Sequence, residues 1–186
     1  IIEMKDITNR NKEFFPLFWK ILKHPLLQDE SAALSFRAKY FFFLIKANCY
    51  RCLADIEKAY RYGQKLLAIF EAGQAARLEP METYRVKMYL NSLYHMVVTQ
   101  TLLGKLTDAL ETTRKIKEII KSDSQFTKSI SNEWSFIFLA TIETDLYLRI
   151  PDYKKGVAQI PRIQSELKKF GHVLQKDHQY ILYHNI

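Results

Sequence analysis

Glycine and proline are scarce, with five of each in 186 residues. A β-rich chain of this length turns often, and its turns draw on Gly, Asn and Asp. So few breakers argue against a sandwich or barrel and favour long helices. Cysteine is scarcer still. Cys49 and Cys52 are the whole supply, too few and too closely spaced for a disulfide framework. That points to a reducing compartment, and a cytoplasmic location is the expectation. No apolar run has the length of a membrane span. The best, Tyr40 to Ile45, is closed off by Lys39 and Lys46. No block of like charges marks a solvated tail. No signal peptide is visible, although the chain opens on Ile1 rather than Met, which leaves a removed leader open.

What is present is the composition of a folded domain. Hydrophobic residues make up 48% and aromatics 13%, which separates the chain from disordered sequences. Its length suffices for one domain with a real core. The net charge of +8 permits an acidic partner, nucleic acid or an anionic membrane surface. Lys and Arg are interleaved with Asp and Glu along the whole chain, so we read the excess as a solvated basic surface.

Apolar residues recur at helical spacing almost throughout. Pro25, the Gly73 to Pro80 stretch, Leu103-Gly104-Lys105, Ser122 to Ser124, Ile150-Pro151 and Gly171 interrupt the pattern. The spacing predicts seven helices, over about 10–24, 30–52, 54–72, 81–103, 105–121, 127–149 and 152–170. Pro16 opens or bends the first. An eighth begins near Lys176.

Three of the breaks are alike. The turns Cys52 to Ala59, Leu102 to Ala109 and Leu148 to Gly156 each follow a long aromatic-rich helix and end on a tiny residue: Ala59, Ala109 and Gly156. Those residues stand 50 and 47 positions apart. Antiparallel helices joined by a short turn must approach closely near it, and a tiny side chain at the start of the second helix allows this. One hairpin cannot bury both of its faces, so hairpins stack.

These turns, Tyr50 and Tyr147 nine residues before their small residues, and Ala47 twelve before Ala59 resemble the tetratricopeptide family. The period is longer than the family's. Val97 and Thr144 stand where a small residue equivalent to Ala47 belongs, and the opening Trp and closing Pro of the consensus are not matched. The pattern is most similar to the divergent long-repeat bacterial members common in Bacteroidetes. The resemblance implies an all-α fold, a right-handed α-α superhelix of stacked antiparallel helix hairpins. It implies a single domain over 1–186, with repeats at about 30–72, 81–121 and 127–170 and partial repeats at both ends. His24-Pro25-Leu26 would end one partial repeat and Tyr183-His184-Asn185-Ile186 open the other, making the chain an internal piece of a longer solenoid.

Candidate chemistry is thin. Cys49-x-x-Cys52 has redox or zinc spacing, but a structural zinc needs four ligands and a redox pair opens a helix after a strand. Packed thiols fit better. His172, His178 and His184 are six apart and do not share a helix face; with His24 and His95 they read as surface or boundary histidines. Glu143 and Asp145, two apart, point to different faces of a helix, whereas acid–base work needs convergent carboxylates. No catalytic residue, metal or cofactor is expected. Phe14, Phe15, Phe18 and Trp19 with Lys12, Lys20 and Lys23 suit either an interfacial membrane helix or, better, a helix packed on the next one, which starts near Glu30. If a preceding helix belongs there, the cluster is partly exposed.

In tetratricopeptide arrays the first helix of each hairpin lines a concave groove. The resemblance places Phe41, Leu44, Asn48 and Arg51 in the first full repeat's groove. Asn91, Tyr94, Val98 and Thr101 stand in the second, and Phe138, Thr141, Asp145 and Arg149 in the third. Apolar anchors mixed with amide, hydroxyl and charged groups suit a peptide or protein partner. The carboxylate clamp of chaperone-binding members is not reproduced. Only Asn48 matches it, and Leu44, Val98, Phe138 and Ile142 cannot donate to a carboxylate. The expected function is a non-catalytic protein–protein interaction scaffold. Two alternatives are RNA binding through the basic surface, where aromatic and basic residues alternate as in Tyr60-Arg61-Tyr62, and a peptide-sensing regulatory domain of a larger protein.

Overall fold

The computed structural model describes residues 14–75, 83–122, 142–143, 145–147, 149–150 and 153–170. Those residues fold without a strand, in agreement with the all-α expectation. Helix α1 spans Phe15–Leu22, α2 Phe36–Cys52, α3 Ile56–Ala75, α4 Thr83–Leu102, α5 Leu106–Ser122 and α6 Tyr153–Phe170. Described residues between 142 and 149 are also helical. The expected start of that helix, the Gly73 to Pro80 break beyond Ala75 and the expected helix near Lys176 lie outside the described residues. The chain divides into two compact units, Ile1–Leu103 and Gly104–Ile186.

The start of the second helix differs from the sequence reading. In place of one helix from about 30, a short 3-10 turn covers Glu30–Ala32 and α2 begins at Phe36. Two side chains set this boundary. Asp29 Oδ1 accepts from Ser31 N at 2.8 Å, and Ser35 Oγ accepts from Ala38 N at 3.1 Å as the N-cap of α2. Ser and Asp offer the backbone local acceptors that compete with a continuous helix. Pro16 lies in the first turn of α1, so it opens that helix rather than bending it.

In the first unit α3 packs against both α2 and α4. Its buried stripe reads Ala59, Gly63, Leu66 and Phe70, the three-to-four spacing of a single helix face. Phe70 gathers the core aromatics. Its ring meets Phe36 edge-on at 5.2 Å and Tyr40 at 5.9 Å, and it tilts against Tyr89 at 5.1 Å. Four rings from α2, α3 and α4 thus share one contact centre. Gly63 permits close approach, since a Cβ there would come within 2.6 Å of Met96 Sδ on α4.

The small residues at the repeated turns are enclosed. Ala59 and Ala109 are fully buried, and a Cβ on Gly156 would lie 3.3 Å from Tyr147 Cβ. The α2–α3 turn closes with paired backbone bonds. Ala54 N donates to Arg51 O at 3.1 Å and Asp55 N to Tyr50 O at 2.9 Å, the pairing of a helix stop with one left-handed residue. Ala54 supplies that residue at φ 60°, and Gly104, fifty positions on, does so at φ 73°. Asp55 then caps α3 by accepting from Lys58 N at 3.2 Å. The Lys58 ammonium at 2.7 Å, helped by that bond, holds its carboxyl below the ordinary range.

In the second unit α5 buries Ala109, Thr113 and Ile116, again one helical face. Glu143 is buried, 3% exposed, and takes an ion pair from Lys117 of α5 on one oxygen and from Arg162 of α6 on the other. Asp145 is half-buried and pairs with Arg149 one turn on, at 3.1 Å. The two carboxylates therefore face different ways, as their spacing predicts.

Candidate functional site

Helices α2 and α4 run side by side in the same direction. Two contacts and one charge effect fix this. Arg85 lies 4.6 Å over the Phe36 ring near the start of both helices. Asn91 Nδ2 donates to Tyr40 Oη at 3.1 Å further along. Arg51, in the last turn of α2, acts electrostatically on Tyr94 and His95 of α4. Helical side chains lean toward their own N-terminus, so Arg51 reaches back to the level of Tyr94.

The expected groove residues of the first unit all lie on these two helices. Phe41 is 43% exposed, with the Arg37 guanidinium 5.9 Å from its ring. Leu44, Asn48, Arg51 and Tyr94 are half-buried. Asn91 is half-buried too, with its amide engaged by Tyr40. Val98 is half-buried and Thr101 is buried, its hydroxyl donating to Val97 O at 2.8 Å. The far end of the expected groove therefore carries less polar surface than the sequence suggests. A buried hydroxyl satisfied within its own helix offers nothing to a ligand. In the second unit Asp145 and Arg149 lie together on one helix face and neutralise each other, while Phe138 and Thr141 lie outside the described residues.

The electrostatics of the seam centre on Arg51. One guanidinium nitrogen, Nη2, donates to Asn48 Oδ1 at a long 3.3 Å. Nε is sealed from solvent and has no acceptor. Among the described residues no carboxylate pairs with Arg51. Beside it, burial and then the Arg51 charge lower the His95 pKa to about 4, and burial raises the Tyr94 phenol. Sequence reasoning placed Arg51 in the groove and treated His95 as ordinary. The coupling of the two rests on contacts between helices some forty residues apart in sequence, and no local pattern announces it.

A second cluster of basic and aromatic residues lies on α2 and α3. The Tyr50 and Tyr62 rings stack in parallel at 5.5 Å. Lys46 Nζ sits 4.7 Å from the Phe42 ring centre and 5.1 Å from that of Tyr62, and Lys58 lies 5.2 Å from that of Tyr50. These ring faces already hold each other and their lysines, so base stacking would have to displace internal partners.

The thiols behave as packed side chains. Cys49 is buried and Cys52 half-buried, both free, and burial followed by the neighbouring Cys52 raises the Cys49 thiol. A raised thiol is a poorer nucleophile and ligand. Among the described residues no group of three or more His, Cys, Asp or Glu could hold a metal ion. No helix there is long and apolar enough to cross a membrane. His24 caps a short 3-10 turn, its Nδ1 accepting from Leu26 N at 3.3 Å. On α1, Phe14, Leu17 and Trp19 are about half exposed while Leu22 is buried, and α1 packs on α2.

No family model, curated protein or solved structure matches this chain.

Proposed function

We propose that the chain is a non-catalytic scaffold of the tetratricopeptide-like kind that binds a peptide or protein segment along the seam of α2 and α4. The observation that supports this most is the parallel pairing of those two helices at a register of about fifty residues, seen in Phe36 with Arg85 and Tyr40 with Asn91. That is the relation the first helices of successive hairpins have in a solenoid. Phe41 supplies an exposed aromatic anchor, and Asn48, Arg51 and Tyr94 supply polar groups beside it. Such a mix serves peptide recognition, in which a few anchors provide most of the affinity.

The test is a peptide array probed with the purified chain, followed by titration of any hit against the Phe41→Glu variant. Phe41 is exposed, so the substitution leaves the core intact. The expected outcome is saturable binding weakened at least tenfold by the variant. An array without a saturable partner sinks the proposal. Nucleic-acid binding through the basic surface is the alternative reading. It requires binding to single-stranded RNA at low salt that falls steeply as salt rises.

A further inference from the structure

We infer that Lys46, Tyr62 and Lys65 form an anion site on the α2–α3 hairpin that takes a phosphate group. The site is separate from the seam of α2 and α4, since at 100° per residue Lys46 stands roughly 140° around α2 from Phe41. Helix α2 carries Phe42, Lys46 and Tyr50 four residues apart, and Lys58, Tyr62 and Lys65 of α3 meet them. The parallel Tyr50 and Tyr62 rings divide this cluster. Lys58 lies against Tyr50 and is neutralised by Asp55 at 2.7 Å. Lys46 and Lys65 lie against Tyr62, at 5.1 and 6.0 Å from its ring centre.

Three observations make this half of the cluster a site. Lys46 is half-buried, and among the described residues no carboxylate pairs with it. The Phe42 ring at 4.7 Å and the Tyr62 ring hold its ammonium in place, and ring faces attract a cation without neutralising it. Its Nζ donates to Tyr62 Oη at 3.4 Å, in a contact only partly buried. That bond uses a lone pair of the phenol and leaves its O–H free to donate. Two donors so close together suit one tetrahedral oxyanion. Lys65 adds a second ammonium. Its pair with Glu30 joins two half-exposed side chains, and such surface pairs are weak enough to exchange. Two ammonium groups around one hydroxyl match the charge of a phosphate dianion. Lysine lacks the fork that fits a planar carboxylate, and as a point charge it serves phosphate.

Inorganic phosphate, N-acetylphosphoserine amide and acetate are titrated at constant ionic strength against the chain carrying isotope-labelled tyrosine rings. The readout is the Tyr62 Cε–Hε resonance by NMR, assigned with Tyr62→Phe. We expect saturable shifts with both phosphate probes at millimolar concentration and none with acetate. Lys46→Gln weakens binding at least tenfold and Lys65→Gln at least threefold, while Lys46→Arg stays within threefold of the parent. Lys58→Gln removes the same charge beside Tyr50 instead and changes the affinity less than twofold. Thermal melts show that each variant is folded. Tighter binding of N-acetylphosphoserine amide assigns a phosphorylated side chain as the source, and tighter binding of inorganic phosphate a free anion. A shift that grows linearly with phosphate and never saturates overturns the inference. So does an equal response to acetate. Equal losses in Lys46→Gln and Lys58→Gln overturn it as well, because they mean diffuse attraction to a basic surface.

Discussion

Ala54 and Gly104 hold the same place in two turns and differ by one methyl group. Both have positive φ, 60° and 73°. In that region a Cβ crowds the following carbonyl, at a cost of about 1–2 kcal/mol, and glycine escapes it. Ala54→Gly is therefore expected to stabilise the chain by about 1 kcal/mol, and Gly104→Ala to destabilise it by about as much. Thermal melts of both variants check this. Two shifts of the same sign would show that something other than backbone strain dominates. The sequence shows a glycine at one turn and an alanine at the other, and the shared requirement is visible only in the dihedral angles.

At the scale of the element, Glu143 is the residue on which two helices converge. Its helix, α5 and α6 each contribute one charged group. The carboxylate is buried, but Lys117 and Arg162 keep 32% and 45% of their side-chain surface in water. Losing Glu143 leaves both cations able to regain hydration, so the cost stays below that of stranding a buried charge. Glu143→Ala is expected to lower stability by about 2 kcal/mol, with Glu143→Gln between it and the parent. Urea titration followed by circular dichroism measures the difference. An unchanged midpoint in Glu143→Ala would mean that the ion pairs add nothing to the gain from burial. Helix boundaries, by contrast, were mostly legible. The spacing located α3, α4 and α5 within a few residues. It runs α2 too far back because Asp29 and Ser35 accept backbone N–H groups locally and divide the expected helix.

At the scale of the whole molecule, His95 ties stability to pH below the ordinary histidine range. Its pKa is about 4 in the fold against about 6.5 in an unfolded chain. The folded state keeps the ring neutral, while the unfolded state takes up a proton below pH 6.5. The stability associated with this ring is fully present above pH 6.5 and drains away as the pH falls toward 4, by about 2–3 kcal/mol. Denaturation midpoints at pH 7, 5.5 and 4.5 are expected to fall more steeply in the parent than in His95→Gln. Parallel curves for the two would refute the assignment. Arg51→Gln is expected to soften the same dependence, because it removes the second cause of the shift.

The sequence by itself determined the helical class, most helix positions and the tiny residues at the turns. Each follows from local period, breaker placement and the volume a close turn allows, and all three are written in neighbouring residues. It also put Phe41, Asn48, Arg51 and Tyr94 forward as groove residues, through the family resemblance. Only the tertiary structure decided which groups meet. It brought Arg51 to His95, Glu143 to Lys117 and Arg162, and three aromatic rings to Phe70. It turned Thr101 inward. Charge–charge energy and burial depend on distances between helices, and a chain read one residue after another does not contain those distances.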